Sequence, residues 1–329
     1  MRLSIGEAEI LVTEVLQGNR VNPANARSVA TALVAAEAAG QSGHGLRRLP
    51  AYAAQARAGK VDGFAQPVLR RAYPSGVHID AALGYAFPAL DMAVAALPSI
   101  VRSQGIAFAA IGRSHHAGVM GLTVERLADE GLVAMMFANA PAVMAPWGGR
   151  KPLYGTNPIA FAAPLPEADP IVIDLALSKV ARGKIMEARQ KQAAIPTGWA
   201  FDRNGQPTTD ADEAMQGTMI PAGEAKGVAL ALMVEILAAG LTGANYAYET
   251  TSLFDDKGAA PSLGQMIIAI NPQATSDGDT ATRLAQLAAE ITSDPNVRLP
   301  GRRSQGARRE ALTRGIVVDD DVIAAIRAI

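Results

Sequence analysis

The feature that most limits what this 329-residue chain can fold into is a change of apolar period at Gly105. Up to that point the sequence reads as helices. Ser4 with Glu7 three residues on forms a capping box that predicts a helix to about Leu16. Asn22-Pro23 is a second start, followed by an alanine-rich run to Ala39. Pro50 to Ala58 and Asp91 to Gln104 each end at a glycine. Beyond Gly105, short apolar runs bounded by Gly, Pro or Asn predict strands at Ile106–Ile111, Val133–Phe137, Ile159–Phe161, Ile171–Leu175 and Met266–Ile270. Helical stretches separate them at Val119–Asp129 and Val180–Gln192. Ala225 to Gly240 is apolar enough to predict a buried helix. Asn271 to Thr280 reads as a polar linker, and Ser304–Leu312 and Asp319–Ile329 as terminal helices.

The expected fold class is therefore α/β, or mixed α+β. Two intimately joined parts are predicted: residues 1–105 with 281–329 as a helical part for substrate binding and dimerisation, and 106–280 as a nucleotide- and substrate-binding part.

Several function classes are excluded. The net charge is −1, so no global field attracts nucleic acid or an anionic membrane. No cysteine is present, which removes disulfides, thiolate metal sites and a cysteine nucleophile. The apolar stretch Gly227–Leu241 is too short to span a bilayer and carries Glu235. With no secretory signal at the start, the expectation is a cytoplasmic protein. No G-x-G-x-x-G follows a strand, so a Rossmann site is not supported. Walker A, G-x-S-x-G and metal-ligand spacings are also missing.

The remaining candidates for chemistry lie in loops, which present functional groups. His44 sits in Ser42-Gly43-His44-Gly45-Leu46-Arg47-Arg48. Imidazole exchanges protons near neutrality, and a guanidinium fork four residues on suits a carboxylate. The alternative is a capping histidine beside a surface arginine. Ser114-His115-His116-Ala117-Gly118 lies between a strand and a helix, where backbone N–H groups attract anions. His78 reads as a strand position and is assigned nothing. Lys226 opens the apolar helix, where it can hold a phosphate or pair with Glu224. Five arginines between Arg298 and Arg309 surround Pro300-Gly301, either a solvated basic face or a phosphate clamp.

Taken in order, these segments resemble the type 2 malate/L-lactate dehydrogenase family. The resemblance is carried by Gly43-His44-Gly45-Leu46 with Arg48, Gly112-Arg113-Ser114-His115-His116 and Gly155-Thr156-Asn157-Pro158-Ile159-Ala160. It continues through Asp174-Leu175-Ala176, Arg182-Gly183-Lys184-Ile185, Ala225-Lys226-Gly227 and Leu299-Pro300-Gly301. The family includes malate, lactate, sulfolactate and ureidoglycolate dehydrogenases and the Δ1-piperideine-2-carboxylate reductases. The resemblance implies a non-Rossmann nicotinamide-binding fold with a large mixed sheet, and a homodimer. It implies His44 as proton donor, Arg48 as carboxylate clamp and Thr156 against the substrate. His116, or the loop His115, His116, Ala117, Gly118 and Val119, would face substrate and cofactor. Asp174, Leu175, Ala176, Ala225, Lys226, Gly301, Arg302, Arg303 and Ser304 would line the dinucleotide, NADP or NAD, with the arginines favouring NADP.

Three positions depart from the family pattern. Gly43 stands where many members carry a serine that relays protons to the histidine. Lys184 stands where the cyclic-imine reductases carry aspartate, and Ala225 where a histidine is usual. The expected chemistry is hydride transfer between a nicotinamide and C2 of a small 2-oxo or 2-hydroxy acid. His44 as imidazolium protonates the oxyanion, Arg48 orients the carboxylate, and Arg182, Gly183 and Lys184 contact the substrate, with Arg182 or Lys184 reading a second anionic group. Two alternatives are reduction of a cyclic ketimine carboxylate and a non-catalytic nucleotide-binding protein on the same scaffold.

Overall fold

The five apolar runs after Gly105 are strands of one sheet. The structure, a computed structural model, describes residues 1–329. In chain order, β1 (Arg2–Leu3), α1 (Ile5–Gly18), α2 (Pro23–Ala38), α3 (Leu49–Ala58), β2 (Val68–Tyr73), β3 (Gly76–Asp80) and α4 (Ala86–Gln104) precede β4 (Ile106–Ser114). Then come α5 (Met120–Asp129), β5 (Val133–Ala138), β6 (Ile159–Leu165), β7 (Ala168–Leu175) and α6 (Arg182–Gln190). A small unit of β8 (Ala200–Phe201), β9 (Pro207–Thr208), α7 (Ala211–Gln216) and β10 (Thr218–Met219) leads to α8 (Ala225–Glu235) and β11 (Leu263–Ile270). The chain ends with α9 (Thr280–Ile291), α10 (Arg302–Arg314), β12 (Ile316–Val317) and α11 (Asp320–Arg327). No helix is long and apolar enough to cross a membrane.

The large sheet has seven strands in the order β2-β3-β4-β11-β5-β6-β7. Only β3 and β4 run parallel; the other neighbours are antiparallel. Because side chains alternate along a strand, each central strand feeds two cores. On one face, Ala107, Ala109 and Ile111 of β4, Ala134 and Met136 of β5, Ala160 and Ala162 of β6 and Ile267 and Ala269 of β11 join a cluster of 51 buried residues. Alanines on this face leave room for α4 and α5 to lie close. On the other face, Ala110, Phe137 and Met266 join a cluster of 16 with residues from α6, α7 and α8.

Two expectations are corrected here, and one helix is added. The boundary at residue 105 runs through the sheet, since β2 and β3 from the first part hydrogen-bond into it. The polar stretch from Asn271 is irregular apart from one 3-10 turn, as expected, and leads into a further helix, α9. The helix from Ala225 is not buried throughout: Leu230, Leu232, Met233 and Ile236 are 38–49% exposed, and the axis widens to a π turn over Ile236–Gly240. Gly264 of β11 packs directly on that turn, where an added Cβ would lie 1.7 Å from the Ala238 carbonyl oxygen.

The buried face of α8 carries Glu235, 4% exposed. Its carboxylate accepts hydrogen bonds from Asn157 Nδ2 (2.7 Å), Asn139 Nδ2 (3.2 Å) and the Ala247 amide (2.6 Å). Burial pushes its carboxyl above the ordinary range, and these donors oppose the shift. One group thus joins α8 to the end of β5, the approach to β6 and the segment before β11. In Glu235→Gln, the amide must turn a donor toward another donor. An unsatisfied buried group costs about 1–3 kcal/mol, so the urea midpoint should fall accordingly while Glu249→Gln, on the exposed side, leaves it in place. An unchanged midpoint for Glu235→Gln would remove this network from the account of stability.

Candidate active site

The histidine and arginine of the Gly-rich segment are set by two consecutive 3-10 turns, Ser42–His44 and Leu46–Arg48, that run into α3. Glu37 of α2 grips this double turn by accepting the Leu46 amide at 2.8 Å. Gly45 permits the approach, because a Cβ there would lie 2.2 Å from Glu37 Oε2. Both side chains then line a cavity of 640 Å³ whose walls also include His116, Thr156, Asp174 and Arg182.

Arg48 donates from Nε to the Gly43 carbonyl at 2.9 Å, and its guanidinium lies 4.5 Å from the Phe254 ring centroid. Its Nη1 is buried with no partner. A desolvated donor without an acceptor is costly, and a carboxylate entering the cavity would satisfy it in charge-assisted fashion. The loop bearing Phe254 is tied down from α3 and the turn after it: Gln55 Nε2 and the buried Lys60 Nζ donate to the Asp255 carbonyl, and Lys60 also reaches Ser252 and the Asp255 carboxylate.

His44 Nδ1 lies 3.2 Å from His116 Nε2, with the two rings near parallel. His116 Nδ1 lies 2.6 Å from the Tyr52 hydroxyl. Burial, with Arg48 adding like charge, lowers His44 to about 4 and holds His116 well below the ordinary imidazole range. Both rings are therefore neutral at neutral pH, so the imidazolium expected at His44 does not describe the ligand-free protein. His115 is also neutral, lowered to about 3, but it points away from the cavity and packs edge-on against Tyr52 and Tyr85.

A second cavity of 350 Å³ adjoins the first, sharing Gln41, Val119 and Asp174. Asp174 Oδ2 accepts the Gly121 amide of α5 at 2.7 Å. The helix start expected to attract an anion is thus already capped by this carboxylate, which burial raises to about 6. Gly118 turns the chain between β4 and α5 with φ +66°. The far wall carries Arg298, Gly301, Arg303 and Ser304. The two grooves are continuous through Gln41, Val119 and Asp174. Asp174 lies along the smaller one as an acceptor, and Arg298 and Arg303 as donors.

The structure brings His44, Arg48, His116, Ala117, Gly118, Val119, Thr156, Asp174, Leu175, Ala176, Arg182 and Gly183 onto one cavity. It keeps others off. Lys184 is exposed on α6 and does not line it. Arg302 turns to Asp169 and Gln305 instead of a phosphate position. Ala225 and Lys226 border neither cavity. Sequence reasoning missed Tyr52, Lys151, Tyr248 and Phe254. No local motif marks them, since they reach the site only through tertiary packing.

The depressed His44 pKa has a definite sign. Its folded value lies below the ordinary 6.5, so the stability it contributes is present above pH 6.5 and is lost as pH falls from there through about 4. An NMR titration of the ligand-free protein should place the His44 midpoint near 4, and Arg48→Gln should raise it by removing the like charge. A wild-type midpoint at 6.5 would mean that the ring is solvated.

With this geometry in hand, comparison with known proteins gives one answer. The model of the malate/L-lactate dehydrogenase family matches residues 3–327. The chain is 50% identical over 308 residues to a (2R)-3-sulfolactate dehydrogenase (NADP(+)) of Chromohalobacter salexigens, covering 94% of this chain and 92% of that one. It is 38% identical over 328 residues to a Δ1-pyrroline-2-carboxylate/Δ1-piperideine-2-carboxylate reductase of Pseudomonas putida, covering 99% and 96%. Among solved structures, Δ1-piperideine-2-carboxylate reductase from Pseudomonas syringae superposes with a TM-score of 0.93 at 35% identity, covering 100% of this chain and 99% of that one. The chain belongs to the malate/L-lactate dehydrogenase family.

Proposed function

We propose that this chain interconverts a dianionic 2-oxo acid and its 2-hydroxy acid, of the sulfolactate or malate kind, with NADP(H) as cofactor. Its family makes it an NAD(P)-dependent oxidoreductase. The observation that carries the substrate class is a pair of cations on one cavity. Arg48 offers a buried, unpartnered Nη1, and Arg182 is half-buried with no ion-pair partner. Two such sites fit an acid bearing a second carboxylate or a sulfonate. Lys151 adds a third cation at the rim. Lys184 loses the discriminating role its sequence position suggested, and Arg182 takes it.

A bound nicotinamide supplies or accepts the hydride at C2. Arg48 holds the C1 carboxylate and Thr156 borders the reacting carbon. His44 exchanges the proton of the C2 oxygen. In the oxidation direction its neutral ring serves as the base when Nε2 is unprotonated. In reduction, the carboxylate on Arg48 cancels the like charge that depresses His44, which favours the proton it must donate. Asp174, Ala176 and the turn at Gly118 would border the dinucleotide, with Arg298, Arg303 and Ser304 at its phosphates. Neither arginine forms an ion pair, and the NADP(+)-dependent relative supports the same choice.

A second copy covering the exposed apolar face of α8 would give the expected homodimer, and a cytoplasmic location is part of the same proposal. Cyclic ketimine reduction stays as the second reading because the two reductases named above match over nearly the whole chain.

Two measurements test this. kcat/KM should be higher for sulfopyruvate and oxaloacetate than for pyruvate or Δ1-piperideine-2-carboxylate. Arg182→Gln should lower the dianion values about tenfold or more, as loss of a charged hydrogen bond implies, and leave pyruvate nearly unchanged. A maximum on the cyclic imine would establish the second reading instead. Separately, Arg303→Ala should weaken NADPH binding more than NADH binding in a fluorescence titration, while Arg309→Ala, bound to Asp169, should change neither. Unchanged affinities for Arg303→Ala would move the phosphate site elsewhere.

A further inference from the structure

Gly43 removes the serine that many family members place beside the catalytic histidine, so the Nδ1 side of His44 needs another partner. Ser42 is exposed and makes no side-chain hydrogen bond to it. The partner present is His116, and behind it Tyr52. We propose that His116 and Tyr52 are positioning residues that fix the tautomer and ring orientation of His44, so that its Nε2–H faces the cavity. The proposal rests on the assignment of His44 given above.

The argument starts at the buried end. Tyr52 is fully buried on the inner face of α3, packed against Tyr85 and Phe87, and its backbone carbonyl accepts the Tyr85 hydroxyl at 2.9 Å. Its own hydroxyl has one hydrogen-bond partner, His116 Nδ1 at 2.6 Å. Burial keeps it a phenol. A buried O–H with a single available acceptor donates to it, so His116 Nδ1 is bare. In the neutral ring the proton is then on Nε2, which donates to His44 Nδ1 at 3.2 Å. His44 Nδ1 is therefore bare in turn, and its proton sits on Nε2. Each step follows from the one before, and the chain ends at the cavity.

This order has a chemical consequence. The resting site presents a hydrogen-bond donor to a substrate C2 oxygen. The opposite tautomer, with His44 Nε2 bare to accept a hydroxyl proton, requires His116 Nδ1–H to donate to Tyr52 and the phenol to give up its own acceptor. The resting tautomer donates a hydrogen bond to a C2 carbonyl oxygen and the opposite one accepts from a C2 hydroxyl, so Tyr52 favours binding of the oxo acid; the proton that His44 passes on in reduction is replaced from solvent.

Tyr52→Phe removes only the hydroxyl. Nitrogen-15 NMR of the ligand-free protein should show His44 as the Nε2–H tautomer in the wild type and as a mixture in the variant. This readout does not involve turnover, so it separates the relay from the assignment of function: if His44→Ala keeps full turnover, the function fails whatever the NMR shows. In Tyr52→Phe, kcat for reduction should fall on the order of tenfold. KM and NADPH affinity should stay within about twofold, since Arg48 and the second cavity are untouched. His116→Gln keeps an amide donor at the same reach and should retain more activity than His116→Ala. If Tyr52→Phe lowers the thermal midpoint, the spectra are taken well below it, where the protein is folded. An unchanged tautomer in Tyr52→Phe, or equal losses in the two His116 variants, would overturn the proposal.

Discussion

Much of the architecture depends on a single buried carboxylate. Glu235 stands in an otherwise apolar helix, and its two oxygens take up donors from three separate segments. Two of those donors, Asn139 and Asn157, flank the cavity, and Asn157 holds a left-handed conformation at φ 38° that a side chain tolerates only when anchored. Asn157 Nδ2 also donates to the Ala231 carbonyl. The wall bearing Thr156 is therefore positioned from behind by α8, through the Asn157 side chain held by Glu235 and the Ala231 carbonyl.

The electrostatics of the site follow from what is withheld from water. Three histidines cluster near one arginine with no carboxylate among them. Desolvation and like charge act in the same direction, and all three rings stay neutral. The unpaired cationic charge is concentrated on Arg48 and Arg182, which leaves the cavity ready for anions. Asp174 is the exception. It lies at the junction of the two grooves, is spent on a helix cap, and is itself held near the edge of ionisation.

The fold was legible in the sequence wherever one physical signal dominated. The Ser4 and Asn22 caps, the glycine stops at Gly59 and Gly105 and the five strands all stand as read, with boundaries moved by a few residues. Helix α4 starts at Ala86 rather than Asp91, because Phe87 and Leu90 extend its buried face. Strand β2 escaped notice: its residues are mostly exposed, and an edge strand need not alternate. Within the site, His44, Arg48 and Thr156 were recognisable by loop context and family motif. Tyr52 and Phe254 were not, since their roles arise from contacts across 64 and 206 positions of the chain. The arginine segment was legible only as a group. Which guanidiniums are consumed by Asp169 and Glu125, and which stay free, depends on partners far away in sequence.

The pairing of β1 with β12 brings the two ends of the chain together. Beside it, Arg47 is clamped by Asp319 and Asp321 of the last helix, one residue from the carboxylate-binding Arg48. Helix α11 lays Val322, Ile323 and Ile326 into the same core that supports α3. Arg47 and the Asp319 that braces it are 272 positions apart in the chain. The turn carrying His44 and Arg48 has the nearby Glu37 from the start but gains this second brace only when distant residues fold onto it. Long-range closure of this kind slows folding in folds of high contact order, so the site is fully braced only after the distant segments have met.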